Sequence, residues 1–492
     1  MSVRLTGNFT RLQSSYVTRL FPYQFSRFGF QIARQSTVSN PQPQNDKPIA
    51  ENELGTFLAE TIKAKGPLSL AVFMRQCLTN PHGGYYINKD PFGMGGDFVT
   101  SPEISQMFGE LVGIWHLAQW MQQHRQPCRL VELGPGRGTL MSDVLRSSKP
   151  FRPFANAIKE IYMVEASPTL RGMQHKKLCG STPLEQVSDK SLWKSVTNYG
   201  IPIYWTEDIR GIPNDGLSNF ITAHEFFDAL PILQFEKVLD DPGASSMLVK
   251  DRQSSWREMV VDYMVPDVKS QESQIILPNT TVIKSTEKSS TADAKPVFQL
   301  VTSKIASAAA RIIPKSHPRY ESLPPGSKFE VCPEAWDITE KLTSYIVPNE
   351  INPKRGGAML FVDYGPADTI PINTLRGIKD HKFVNPFENP GECDLSTDVD
   401  FQALKIAATR HHGDHVAVYG PAEQGDWLHT MGIGARATVL AQGQHTPEGK
   451  KRVEDAYNRL TEKSGGAMGR LYKVMGIVPK SQPIPVGFGG DI

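Results

Sequence analysis

Apolar positions along the chain gather into short runs bounded by polar or turn residues. The runs are Arg129-Leu130-Val131, Ile161 to Val164, Ile201 to Trp205, Asn219 to Ala223, Ala358 to Val362 and His415 to Tyr419. Each is short enough for a strand, and most lack strict alternation, as expected of strands buried on both faces. Helix-like stretches lie between them. Ser101-Pro102-Glu103 predicts the start of a long helix, with serine as N-cap, proline in the first turn and an acid at the positive dipole end. Ile104, Met107, Phe108, Leu111, Val112, Ile114, Trp115 and Ala118 give that helix a wide apolar face. Strands interleaved with helices predict an α/β fold with an open, mostly parallel sheet covered on both sides. Ligands bind such a sheet beyond the carboxyl ends of its strands, so functional residues should be those that terminate strands.

The alternation is interrupted between residues 233 and 355. An antiparallel pair is expected there, Gln234 to Lys237 with Trp256 to Val260, joined through Asp240-Asp241-Pro242-Gly243. A polar stretch at 267–296 follows, then helices from Phe298 to Ile312 and from Pro333 to Leu342. The excursion reads as an inserted α+β subdomain walling one side of a substrate cleft. The expected organisation is a targeting segment at 1–35, a linker at 36–50, and a helical N-terminal region with a lid loop at 51–127. The first part of the core follows at 128–232, the insertion at 233–355 with 267–296 flexible, and the second part of the core with C-terminal helices at 356–480.

Composition is that of a globular protein, with 39% hydrophobic and 21% charged residues among 492. No apolar stretch is long enough for a membrane-spanning helix. The net charge of +2 conceals an asymmetry: residues 1–35 carry Arg4, Arg11, Arg19, Arg27 and Arg34 and no acid. The remainder is slightly acidic, which argues against general nucleic-acid binding. Arg4, Arg11 and Arg19 share one arc of a helical wheel, and Leu5, Phe9, Leu12, Tyr16 and Leu20 the neighbouring one. An amphipathic, arginine-rich, acid-free start predicts a mitochondrial transit peptide cleaved near Arg34 and a matrix destination. Cys77, Cys128, Cys179, Cys332 and Cys393 are scattered without metal or disulfide spacing and read as reduced thiols.

Candidate chemistry begins at Val131 to Leu140, V-E-L-G-P-G-R-G-T-L. Gly134, Gly136 and Gly138 stand between a strand and a helix, where bare main chain can approach a ligand. A dinucleotide fingerprint would need a glycine at position 139, which is Thr139. The spacing E-x-G-x-G-x-G instead resembles motif I of the S-adenosylmethionine-dependent methyltransferases. That resemblance places Glu132 beside the methionine end of the cofactor. Glu165, ending the next strand, is placed to take the ribose hydroxyls. By the same resemblance Asp208 after the third strand, with Glu207 as second choice, reaches the adenine.

His224-Glu225-Phe226-Phe227-Asp228 ends the fourth strand. Two carboxylates three apart can face one cleft and suit a guanidinium, while the aromatics between them exclude water. The plainer alternative is one capping acid and one surface acid. Asp363-Tyr364-Gly365 ends the fifth strand and is either a cleft residue set or a polar turn. Gly95 to Glu103 could bend as a lid. His411-His412-Gly413-Asp414-His415 has no companion ligands at metal spacing, so no metal site is expected.

Several segments together resemble one family. They are G-G-Y-Y (83–86), D-P-F-G-M-G-G-D-F-V-T-S-P-E-I-S-Q-M-F-G-E (90–110), the glycine turn, E-F-F-D-A-L-P (225–231), V-D-Y-G (362–365), P-G-E-C-D-L-S-T-D-V-D-F (390–401) and G-P-A-E-Q-G-D-W-L (420–428). They resemble the MidA-type proteins over residues from about 50 to about 480. The resemblance implies a Rossmann-like S-adenosylmethionine-dependent methyltransferase sheet with a helical N-terminal region. It further implies a matrix protein arginine methyltransferase that makes symmetric dimethylarginine on a core subunit of respiratory complex I, as complex I assembly requires. S-adenosyl-L-methionine would be held by Glu132, Gly134, Gly136, Gly138, Glu165 and Asp208, with Glu225 and Asp228 orienting the arginine. At position 224 the family usually has asparagine, and this chain has His224. A non-catalytic assembly chaperone that binds the cofactor structurally, or a small-molecule methyltransferase, are the alternatives, and a homodimer is left open.

Overall fold

Alternate residues along each central strand sort onto two faces, and each face has its own core. The structure, a computed structural model, describes residues 53–88, 99–187, 191–239, 254–264 and 297–490. The expected transit segment at 1–35, the linker at 36–50, the glycine-rich part of the lid loop and the stretch 267–296 lie outside the described residues. Two compact units are present, the smaller within 1–69 and 234–329, the larger within 70–233 and 330–492.

The larger unit holds the principal sheet. Its main strands are β1 (Cys128–Leu133), β2 (Ile158–Val164), β3 (Pro202–Thr206), β4 (Ser218–His224), β5 (Gly357–Tyr364), β6 (Val416–Glu423) and β7 (Tyr472–Pro479). They lie in the order β6-β7-β5-β4-β1-β2-β3, extended past β3 by Leu192–Val196 and Glu185–Gln186. β1 to β5 pair in parallel, and β7 runs antiparallel between β5 and β6. The chain passes from β1 outward to β3, then returns to the other side of β1 with β4. That reversal opens a crevice beyond Leu133 and His224.

Leu130, Ile161, Met163, Phe220, Leu360 and Val362 face one core, with Phe108, Trp115, Leu140 and Val144 from the helices α1 (Gln106–Gln122) and α2 (Thr139–Ser148). Val131, Leu133, Tyr162, Val164, Ile221, Ala223, Met359 and Phe361 face the other, against helices Pro333–Thr343 and Phe401–Arg410. The α1–α2 contact depends on two glycines one turn apart. A Cβ on Gly109 would lie 2.6 Å from Cβ of Asp143, and one on Gly113 3.2 Å from Cα of Val144. The start of α2, which carries the glycine turn, is thereby fixed against α1.

Three expectations are corrected, and one strand is an addition. The helix predicted from Ser101 is broken: Ser101–Ile104 is a separate turn, and Ser105, extended at φ −160°, caps α1 by accepting a hydrogen bond from the Met107 amide at 3.2 Å. Ser105 therefore takes the capping role expected of Ser101. The region 298–312 is a strand, Val297–Thr302, followed by a helix of only Ala308–Ile312. Its β-branched and aromatic residues favour pleated pairing, and Ser307 caps the helix through the Ala310 amide. Tyr472–Pro479 is a strand in a region expected to be helical. An antiparallel edge strand, Leu192–Val196, was not anticipated.

In the smaller unit, Leu233–Leu239 and Ser254–Met264 pair antiparallel with Gln234 opposite Met259, as the pattern predicted. Phe235, Trp256 and Tyr320 pack around Phe329. Among the described residues no helix is long and apolar enough to cross a membrane. His411 lies 3.5 Å from Glu340, and no group of three or more His, Cys, Asp or Glu among the described residues is arranged to hold a metal.

Candidate active site

The crevice at the ends of β1, β2 and β4 gathers seven of the eight side chains and glycines singled out from the sequence around bare main chain and buried acid. Gly134, Gly136 and Gly138 all adopt left-handed backbone, at φ +59°, +51° and +76°. A Cβ on Gly134 would stand 3.0 Å from Cδ2 of Phe226, so the glycine turn packs directly on the loop after β4. Gln174 ties the turn to the second acid: its amide nitrogen donates to Gly136 O at 2.7 Å and to Glu165 Oε2 at 3.0 Å. Gln174 in turn accepts from the Trp205 indole at 2.9 Å. Glu165 Oε1 accepts from the Ser167 amide at 2.7 Å.

Both acids are buried. Burial pushes Glu132 up to about 8 against the Met141 amide, and Asp143 and Glu165 add to it. Burial likewise pushes Glu165 up to about 7, opposed by the Ser167 amide and Gln174. Glu132 Oε2 has no hydrogen-bond partner among the described residues. An orphaned buried oxygen of this kind is costly unless a ligand completes it. Asp208 is placed differently. It caps the turn Ile209–Gly211, accepting from the Arg210 amide at 2.7 Å and pairing with the Arg210 guanidinium at 2.6 Å. Burial opposes its charge, but the Arg210 hydrogen bonds hold its carboxyl below the usual range.

The second half of the crevice follows β4. Glu225 is one of few non-glycine residues with left-handed backbone, at φ +49°, a conformation costing about 1–3 kcal/mol and held only where its surroundings impose it. Its amide donates to Val362 O of β5 at 2.9 Å. Asp363, at the end of β5, then accepts from the amides of Phe226 at 3.2 Å, Phe227 at 3.0 Å and Asp228 at 3.4 Å. The acid of V-D-Y-G thus shapes the loop that presents the other two acids. Burial, then the charges of Asp228 and Glu225, push Asp363 well up, and its main-chain donors pull it back.

Glu225 itself is pushed up to about 8 by burial and then by Asp228, while the Ser101 amide and the Tyr472 phenol stabilise its charge. Asp228 Oδ2 accepts from Tyr364 Oη at 2.5 Å and Ser396 Oγ at 3.0 Å. Asp228 Oδ1 and Glu225 Oε1 have no hydrogen-bond partner among the described residues. His224 approaches Glu225 at 3.3 Å without hydrogen-bond geometry, and burial pushes its imidazole down to about 3, so it is a neutral neighbour and not an ion-pair partner. Its ring packs 4.9 Å from that of Phe108, on the α1 side of the sheet.

A family model described as "Putative S-adenosyl-L-methionine-dependent methyltransferase" matches residues 111–421. A Xenopus tropicalis relative named "Protein arginine methyltransferase NDUFAF7, mitochondrial" is 34% identical over 453 residues, covering 91% of each chain. The chain belongs to this methyltransferase family. The human relative of the same name is 34% identical over 440 residues, covering 87% of this chain and 85% of its own. By fold, the methyltransferase is also similar to a Burkholderia thailandensis protein crystallised with S-adenosyl-homocysteine, with a TM-score of 0.63 at 20% identity over 91% of this chain and 98% of that one.

S-adenosyl-L-methionine is the methyltransferase's cofactor. The crevice also draws on side chains that the sequence pattern did not single out. Tyr472 reaches the crevice because β7 is antiparallel, so its first residue lies opposite Tyr364 at the carboxyl edge of β5. Ser396, Asp394 and Tyr86 arrive from a three-residue strand and a four-residue helix, Asp394–Ser396 and Tyr85–Asn88. The only signal for Ser396, Asp394 and Tyr86 was their place inside the quoted family segments, and Tyr472 lies outside all of them.

Proposed function

We propose that the chain is a mitochondrial matrix protein arginine methyltransferase that forms symmetric dimethylarginine on a core subunit of respiratory complex I and so serves its assembly. The names of the relatives support arginine as acceptor and mitochondria as compartment. The basic, acid-free residues 1–35 support import. The observation that carries the acceptor is the pair of unpartnered, buried carboxyl oxygens, Glu225 Oε1 and Asp228 Oδ1. A guanidinium offers five donors in one plane and remains charged when buried, so it answers both the hydrogen-bond deficit and the uncompensated acid.

Cofactor binding falls to Glu132, the three glycines and Glu165, with Asp208 toward the adenine. Bound there, S-adenosyl-L-methionine supplies an electrophilic methyl group on a sulfonium. Glu132 offers its free oxygen to the cationic end, and Glu165 offers remaining lone pairs to ribose hydroxyls. Glu225 and Asp228 orient the guanidinium and draw one nitrogen into line. The ionised member of the pair accepts the proton which that nitrogen must shed. Phe226 and Phe227 limit water around the reacting groups.

Two measurements test this. Gly136→Val fills the space that the main chain needs, and calorimetry should show S-adenosyl-L-methionine binding abolished in a chain that still melts cooperatively. Unchanged binding would remove the cofactor from this turn. Glu225→Ala with Asp228→Ala should retain the cofactor and abolish methylarginine in matrix proteins by mass spectrometry. Persistence of complex I assembly in that double variant would favour the chaperone role.

A further inference from the structure

We propose that Asp394 is a third carboxyl of the acceptor pocket, binding the guanidinium beside Glu225 and Asp228 and held in position by Tyr86. The proposal rests on the acceptor assignment made above. Strand alternation supplies the first reason. Asp394 and Ser396 are two apart on Asp394–Ser396 and so share a face, while Leu395 between them is buried in the opposite sense. Ser396 Oγ donates to Asp228 Oδ2 at 3.0 Å, which places that shared face on the pocket.

Electrostatics supply the second. Asp394 is 4% exposed, and its charge is felt at Glu225, where it adds to the effect of Asp228. Three acids thus converge, and two of them each hold a buried oxygen without a partner among the described residues. Concentrating buried acid in this way is unfavourable for the protein alone and becomes favourable around a cation that all three can reach.

The ligand's shape distinguishes among cations. Two carboxylates engage at most two edges of a planar guanidinium, four of its five N–H groups, and a third meets the remaining N–H. A lysine ammonium is compact and cannot span three separated acceptors in the same way. Tyr86 is a positioning residue here. Its hydroxyl donates to Asp394 Oδ1 at 2.7 Å, and its carbonyl accepts at 2.8 Å from Ser167 Oγ, the residue whose amide donates to Glu165 Oε1. The acceptor pocket is therefore anchored to the cofactor side through one tyrosine.

The test uses the full chain saturated with S-adenosyl-homocysteine, titrated calorimetrically with N-acetylarginine N-methylamide and with the lysine counterpart. The wild type should prefer the arginine probe. Asp394→Asn keeps an acceptor for Tyr86 and should bind that probe about tenfold more weakly, with S-adenosyl-homocysteine affinity unchanged. Asp394→Glu, which retains charge, should recover part of the loss, and Tyr86→Phe should fall between. Equal binding by wild type and Asp394→Asn overturns the proposal and leaves the Glu225–Asp228 acceptor standing. Asp394→Glu as poor as Asp394→Asn shows a role in packing and not charge, and also overturns it. A wild type that does not prefer arginine removes the acceptor assignment and this proposal together.

Discussion

Glu132, Glu165 and Glu225 share one predicament: each would be ionised in water at neutral pH, and each is buried where ionisation is opposed, at about 8, 7 and 8 respectively. The unfolded chain releases these protons near pH 4.3, so between there and about 8 the native state binds more protons than the unfolded state. Stability contributed by these groups is therefore greatest in acid and is lost as pH rises. His116 and His224, pushed down to about 3 by burial, act in the opposite sense, but only below about pH 6.5, where unfolded histidine gains its proton. Thermal melts of the ligand-free protein should accordingly show Tm falling from about pH 6.5 to about 8.5. A rising Tm across that window would contradict the assignment. S-adenosyl-L-methionine, which carries a sulfonium charge, should gain affinity over the same interval more than S-adenosyl-homocysteine does. Glu165 and Glu225 were legible in the sequence because each ends or follows a strand, and Glu132 because it stands at the mouth of the glycine turn. Asp394 and Tyr86 were not, because elements of three and four residues leave no periodicity to read.

At the scale of elements, the positioning is done by close approach and by interruption. Gly109 and Gly113 bring α2 against α1, and α2 begins where the glycine turn ends. Gly113→Ala should cost about 1–3 kcal/mol through forced separation of the two helices. The expected readouts are a lower Tm and weaker S-adenosyl-homocysteine binding, although residue 113 touches no ligand. An unchanged affinity would show that the turn is held from elsewhere. The break at Ser105 belongs to the same logic, since a continuous helix would not leave the Ser101 amide directed at Glu225. Capping chemistry in the sequence correctly announced a helix start but assigned it to Ser101, whereas Ser105, four residues on, caps α1. The strand Val297–Thr302 was misread for a related reason: Phe298, Leu300 and Val301 fit either period over so short a span.

For the whole molecule, the five parallel strands were legible and the seventh strand was not. Val474 to Pro479 are buried on both faces, so the run carries no alternation, and Gly476 within it weakens any propensity signal. Gly476 is there because a Cβ would lie 2.8 Å from the Phe488 ring, which closes over the strand. Yet β7 joins β6 to the rest of the sheet, and among the described residues β6 has no other partner strand. A nonsense mutation anywhere after β6 and before β7 therefore removes two strands from the folded sheet while deleting the code for one. It also takes away the phenol that steadies Glu225. A chain ending at residue 470 should be cleared by proteases at a concentration that spares the full-length chain, and equal resistance would show that β6 finds a substitute. Synthesis runs from the amino end, so the nascent sheet stays open until Tyr472–Pro479 has emerged to pair with β6.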